Sequence, residues 1–404
     1  MHLNFDVCDK VTFLTGSRAI VEQLSTTRAL VPFCDEVIVF LNDVSRELLG
    51  NRNTKAYSDV VTFAFWIRKA NVMNMKREFE KREGIYLGKG TVFHIAPSNV
   101  PVNFAYSLVT GLITGNVNIV RVPSKDFEQV NMITNAFNKV IEMHEKMTSY
   151  VICVRYDRDK EINDFFSSIA DMRVIWGGDN TIAEIRKSPL PARSGEITFA
   201  DRYSIAVIDS DLYMAISDKK RIAEDFYNDT FLTDQNACTS PRLVVWTGNR
   251  IEEAKEKFWS EEHNLVQKKY KFQSIQGVNK LTWTCLAAVS ESGIKVVKHV
   301  DNLIVRVSVS QLTDSLMDSR GNSGFFYEYD CEDIRELIPI VDDKRCQTVG
   351  YIGDSEIFMP LIKSGVKGID RIVPVGKTMD FSFVWDGYDL ADELTRRVTL
   401  SGLI

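Results

Sequence analysis

The sequence predicts an α/β protein of two doubly wound domains, each a mostly parallel sheet covered by helices on both faces. Three observations carry that reading. From Thr91 onward, short apolar runs rich in β-branched residues alternate with helical stretches across short connections, as far as residue 208. The alternation resumes at residue 243 and continues to 375. The chain of 404 residues is 45% apolar and 26% charged, the make-up of a globular protein large enough for two or three cores.

Residues 1 to 85 read as a mostly helical lead-in. The run VVTFAFWIRKANVM (60–73) predicts a helix with one apolar face, closed by MKREFEKREG and stopped at Gly84. Strands are expected over 91–96, 117–122, 150–156, 172–176 and 204–208. Helices are expected between them, from Pro101 to 114, then 125–146, 160–170 and 181–187; proline suits a first helical turn because its missing N–H is not needed there. A helical stretch over 212–231 leads to Cys238, and further elements follow at 243–246, 251–271, 303–309, 337–341, 348–352, 356–364 and 371–375. The expected division is a helical arm plus dinucleotide-binding domain over 1–209, a domain carrying Cys238 over 210–378, and a C-terminal tail over 379–404. Cys238 is expected to face a cleft between the two α/β domains.

The formal charge is −6, from 49 basic and 55 acidic residues without a basic block, so nucleic acid is not the expected partner. No stretch approaches the ~18 apolar residues of a membrane span, and MHLNFDVCDKVTF lacks the pattern of a secretory signal. Seven cysteines, at 8, 34, 153, 238, 285, 331 and 346, include no CxxC pair and no Cys/His cluster. Free thiols in a reducing, cytoplasmic setting are expected, with no metal site.

Four stretches are suited to chemistry. FLTDQNACTSPRLVVWT (231–247) places Cys238 among small polar residues ahead of a strand, a reachable position for a nucleophilic thiolate; the alternative is a small buried residue. In HIAPSNVPVNFAYS (94–107), Asn99 is either a turn-former or a positioned amide, and His94 reads as a satisfied core residue. GNVNIVRVPSK (115–125) brings Arg121 and Lys125 to the carboxyl end of a strand, suited to a phosphate or ribose or else a solvated charge pair. VIWGGDNTIAEI (174–185) makes a strand, a glycine turn and a helix start where a phosphate can approach.

Taken in chain order the four stretches, with the tail GIDRIVPVG and WDGYDLADELTRRV, resemble the acyl-CoA reductase (LuxC-type) branch of the aldehyde dehydrogenase superfamily. The resemblance runs from about residue 60 to the C-terminus. It implies an aldehyde-dehydrogenase-like fold, with Cys238 as the catalytic nucleophile. It implies that Asn99, in the turn Pro97-Ser98-Asn99-Val100-Pro101, donates to the oxyanion together with the Cys238 N–H; losing one such donor typically costs ~3–4 kcal/mol. Pro97, Arg121, Ser124 and Lys125 would line the cofactor, with Trp176, Gly177 and Gly178 beside its nicotinamide-bearing half. Where the superfamily carries a glutamate for the adenosine ribose, this chain has Lys125, which implies NADPH in preference to NADH. Phe199 stands in place of the glutamate that activates water in hydrolytic members, so the acyl-enzyme is not expected to go to acid.

The activity implied is NADPH-dependent reduction of an acyl-CoA or protein-bound acyl thioester to the aldehyde. An acyl-protein synthetase is the implied partner and a homo-oligomer the implied assembly. The alternatives are an aldehyde dehydrogenase working oxidatively and a non-catalytic nucleotide-binding subunit. The segment EIFMP (356–360) resembles a superfamily ribose-binding motif, but its apolar spacing reads as helix core.

Overall fold

A computed structural model describes residues 3–97 and 100–399. The chain divides into two compact units, Met1–Ala200 with Tyr388–Ile404, and Asp201–Gly387.

The first unit contains strands β1 (Thr12–Thr15), β2 (Ile85–Gly88), β3 (Thr91–Ile95), β4 (Val117–Arg121), β5 (Val151–Arg155), β6 (Met172–Trp176) and β7 (Gly195–Phe199). Six of them form a sheet in the order β1-β5-β4-β3-β6-β7, parallel except for β1 at the edge. Central strands β3 and β6 are buried throughout, as a sheet covered on both faces requires. Among the parallel strands the earliest, β3, is central; β4 and β5 extend to one side, β6 and β7 to the other. The winding reverses between β3 and β6, and such a switch point opens a crevice at the strands' carboxyl ends.

The fifth strand expected from the sequence, 204–208, is not in this sheet; β7 takes that place. Burial along β7 is broken, with Glu196 and Thr198 half-buried, so it lacks the continuous apolar run that marks the other strands. The lead-in is helical at Asp35–Gly50, Ser58–Trp66 and Lys69–Phe79 but also contributes β1, whose four residues are too few to show a period. The tail rejoins this unit. Strand Thr395–Val398 pairs antiparallel with β2, Asn116 Nδ2 donates to Leu394 O at 2.8 Å, and Arg82 pairs with Asp389 and Asp392.

Helix Asn103–Ile113 lies against β3 and β4 so closely that a Cβ on Gly111 would stand 1.8 Å from Asn118 Oδ1. Beneath it runs a buried chain of hydrogen bonds. Trp176 Nε1 donates to Ser107 Oγ (3.1 Å), Ser107 meets His94 Nδ1 (2.7 Å), and His94 Nε2 meets Asn118 Oδ1 (3.0 Å). Asn118 Nδ2 is spent on the Asn116 carbonyl at 2.8 Å, so Oδ1 is the acceptor and His94 carries its proton on Nε2. Burial pushes the imidazole down to about 4 from an ordinary 6.5, against the opposing pull of Asn118. The unfolded chain therefore binds a proton that the native one excludes between those values, and stability falls as pH drops from 6.5 toward 4. The expected loss from this residue is about 3 kcal/mol, read by denaturant unfolding against a His94→Gln variant, whose profile should be flatter.

The second unit contains β8 (Tyr203–Asp209), β9 (Pro241–Thr247), β10 (Lys295–Lys298), β11 (Val305–Ser308), β12 (Phe325–Asp330), β13 (Cys346–Ile352) and β14 (Arg371–Pro374). Their order is β10-β11-β12-β9-β8-β13-β14, parallel except for β10. Successive side chains alternate between two cores: Ile205, Val207, Leu243 and Val245 on one face, Ala206, Ile208, Val244 and Trp246 on the other. Helix Lys219–Asp229 follows the shorter Ser210–Ala215, so the expected single stretch is broken in two. Strand β12 and helix Ser274–Ser290 have no counterpart among the sequence expectations.

Candidate active site

Four adjacent strands, β9, β8, β13 and β14, bring their amino ends together in the second unit, and the residues there surround Cys238. The loop before β9 turns sharply: Asp234 and Gln235 both adopt left-handed backbone, with φ of 54° and 52°. That conformation is held from several sides. The Asp234 carboxylate accepts from Gln276 Nε2 at 3.2 Å and from the Tyr270 hydroxyl. The buried Gln235 side chain donates to Pro241 O (3.1 Å) and Phe325 O (3.3 Å) and accepts from Gly324 N (2.7 Å). Arg242 Nη2 bonds the Gln235 carbonyl at 2.8 Å.

Ser204, fully buried at the start of β8, ties the loop to the sheet. Its hydroxyl donates to the Cys238 carbonyl at 2.8 Å and accepts from Thr348 N at 3.3 Å. Cys238 is partly buried. Its sulfur lies 3.5 Å from Gln347 Nε2, and the same nitrogen donates to Asp386 Oδ1. Arg202 pairs with Asp370 and reaches Asp386 Oδ2 at 3.8 Å. Arg371 lies over the Trp385 ring at 4.4 Å.

The resting thiol is protonated. Burial foremost, then the Asp386 carboxylate, push it up to about 12; the Gln347 amide, the Cys238 N–H and Arg202 pull the other way. Burial likewise raises Asp386 to about 6 against Arg202 and Gln347. The cations and N–H groups expected to favour the thiolate are thus present, but desolvation outweighs them. Acidity alone does not single out Cys238, since burial also pushes Cys153, Cys331 and Cys346 up to about 12. Its polar neighbours, Gln347, Asp386 and Arg202, do.

In the first unit, the switch point carries the other residues singled out from the sequence. Pro97 follows β3, and Trp176 ends β6, where its ring stacks on Phe199 with centroids 3.7 Å apart. Gly178 caps helix Asp179–Ile185; a Cβ there would meet nothing within 4 Å. Arg121, at the end of β4, lies 4.6 Å over the Tyr156 ring. Ser124 and Lys125 are exposed just beyond. Neither Arg121 nor Lys125 has a carboxylate partner among the described residues; the nearby Asp126 pairs with Arg155 at 3.1 Å. Asn99 lies outside the described residues.

The EIFMP segment packs as expected: Phe358 and Leu361 are fully buried in the second unit's core. Among the described residues no cluster of three or more His, Cys, Asp or Glu is placed to hold a metal, and no helix is long and apolar enough to cross a membrane. Sequence reasoning did not single out Arg202, Gln347 or Asp386. The available signal was a glutamine opening an otherwise apolar strand, CQTVGYI.

Two doubly wound units, one with a cation-flanked switch point and one with a cysteine loop at converging strand ends, define an aldehyde-dehydrogenase-like fold. Solved structures agree. Aldehyde dehydrogenase 21 from Physcomitrella patens, in complex with the reaction product succinate, superimposes with a TM-score of 0.67 at 12% identity, covering 96% of this chain and 90% of that one. An NAD-dependent benzaldehyde dehydrogenase from Corynebacterium glutamicum gives 0.62 at 14% identity, covering 94% and 86%. Residues 68–397 match the acyl-CoA reductase (LuxC) family, and the chain belongs to it. Similar curated proteins include long-chain acyl-protein thioester reductase 2 of Photobacterium leiognathi, 26% identical over 72% of this chain and 59% of that protein. The long-chain acyl-protein thioester reductase of Photorhabdus luminescens is 25% identical over 77% and 63%. The chain thus spans about three fifths of the length of these relatives.

Proposed function

We propose that the chain reduces an acyl thioester to the aldehyde, using NADPH and an acyl-Cys238 intermediate. The observation that carries this reading is the setting of Cys238: a partly buried cysteine on a braced loop, with its sulfur in a hydrogen-bonded polar cradle. The Cys238 sulfur attacks the thioester carbonyl; the new C–S bond forms as the donor's C–S bond breaks, and the thiol proton ends on the departing sulfur. The backbone N–H of Cys238, which has no other acceptor among the described residues than its own sulfur, is free to bind the oxyanion. Asn99 keeps the donor role that the resemblance implies.

The first unit's switch point fits a dinucleotide: the space above Gly178 suits backbone approach, and Arg121 and Lys125 are cations with no carboxylate partner among the described residues. When bound there, a reduced nicotinamide would supply a hydride for the acyl carbon, and with one proton the Cys238 thioester would give the aldehyde and the free Cys238 thiol. Arg121, Ser124 and Lys125 would hold a 2′-phosphate, the basis for preferring NADPH. The similar proteins' names support a protein-bound acyl donor; an acyl-protein synthetase as its source is what the family resemblance implies.

Oxidation to acid requires a base for water, and Phe199 instead gives its ring to Trp176. Incubating the protein with an acyl thioester and NADPH should therefore yield aldehyde with little free acid. Predominant release of acid would overturn the reductive assignment.

A further inference from the structure

We propose that Gln347 is the positioning residue for Cys238, its amide N–H held on the sulfur by Asp386. The inference rests on Cys238 being the nucleophile and deepens that reading. Gln347 is fully buried at the start of β13. The β8–β13 ladder slips there: Cys346 pairs with Tyr203 and Val349 with Ile205, so Gln347 and Thr348 together face Ser204. Such a bulge re-aims a side chain.

The amide's orientation follows from its partners. A carboxylate only accepts, so the NH2 end must face Asp386. The same nitrogen is 3.5 Å from Cys238 Sγ, which leaves its second N–H for the sulfur, while Oε1 accepts from Thr348 Oγ1 at 3.5 Å. Asp386 is itself fixed: 5% exposed, in left-handed backbone (φ 51°), and faced by Arg202, which is anchored on Asp370. That backbone suits Asp386-Gly387, a two-residue turn between strands Val384–Trp385 and Tyr388–Asp389 with φ of 51° and 76°.

The two groups act on the sulfur with opposite sign. The N–H donor favours the thiolate and fixes the sulfur's direction of attack. Burial foremost, then the Asp386 carboxylate by like charge, disfavour the thiolate; Arg202, Arg242 and Arg371 favour it.

The test is the rate of Cys238 alkylation by iodoacetamide from neutral to alkaline pH, read on the Cys238 peptide by mass spectrometry. It requires neither acyl donor nor cofactor, so its result is separable from failure of the reductase reading. Gln347→Met keeps the length and removes both donors; alkylation at a given pH should slow by roughly tenfold or more, with the profile displaced to higher pH. Asp386→Asn keeps an acceptor for Gln347 and removes the charge, and should displace the profile to lower pH. A Gln347 that only supports packing would lower thermal stability without moving either profile. If Gln347→Met fails to fold by circular dichroism, Gln347→Glu, with no donor for the sulfur, should displace the profile upward as well. A Gln347→Met or Gln347→Glu profile that superimposes on the parent's, or an upward displacement in Asp386→Asn, overturns the proposal.

Discussion

Replacing Cys238 by alanine is expected to lower aldehyde formation by roughly 10⁴-fold or more while leaving NADPH binding unchanged. The split follows from where the residues lie. Cys238 belongs to the loop before β9 in the second unit, whereas Pro97, Arg121, Lys125 and the Trp176–Gly178 turn surround the switch point of the first. No other cysteine should replace it. Cys8, Cys153, Cys331 and Cys346 are buried, the partly buried Cys34 caps helix Asp35–Gly50 in the first unit, and the exposed Cys285 lies on helix Ser274–Ser290, outside the Arg202–Gln347–Asp386 cluster. The fold should survive, because the loop is braced by Gln235 and by the Cys238 backbone carbonyl, not by the thiol. Aldehyde trapped with a carbonyl reagent, alongside cofactor binding by fluorescence, checks both halves. Reduction persisting in Cys238→Ala would remove the nucleophile assignment.

Reversing the charge at Lys125 should give the second large effect. Lys125 is exposed and without a carboxylate partner among the described residues, so Lys125→Glu should cost little stability. It exchanges a cation suited to a 2′-phosphate for an anion that repels one and can accept from a free ribose hydroxyl. The ratio of kcat/KM for NADPH to that for NADH is expected to fall roughly 10–100-fold, the size of one charge-assisted hydrogen bond. An unchanged ratio would mean that Lys125 does not read the phosphate.

How much of this was legible in the sequence differs between backbone and site. Strands β3 to β6 and β8 are near-continuous apolar runs, and such runs are visible because both sheet faces are covered. Strand β7 and the tail strand Thr395–Val398 are edge elements with polar positions, and neither shows such a run. That is why the alternation pattern puts 204–208 in the wrong sheet. Cys238, Arg121 and Lys125 could be picked out because each sits at a strand end in a short local motif. Gln347 and Asp386 could not: 109 residues separate Gln347 from Cys238, and the pair meets only when the sheet brings β13 near the loop before β9. The depressed imidazole of His94 is similar, since it depends on burial beneath a helix whose Gly111 permits close approach. The protonated resting state of Cys238 was likewise hidden, because burial is a property of the assembled unit.

The most direct test of the central claim is intact-mass spectrometry of the protein mixed with acyl thioesters, first without cofactor and then with NADPH, followed by digestion. The account predicts a mass increase of one acyl group on the Cys238 peptide, which disappears as NADPH is oxidised and aldehyde is formed. An acyl group on another residue, or an adduct on Cys238 that NADPH leaves in place, would contradict it.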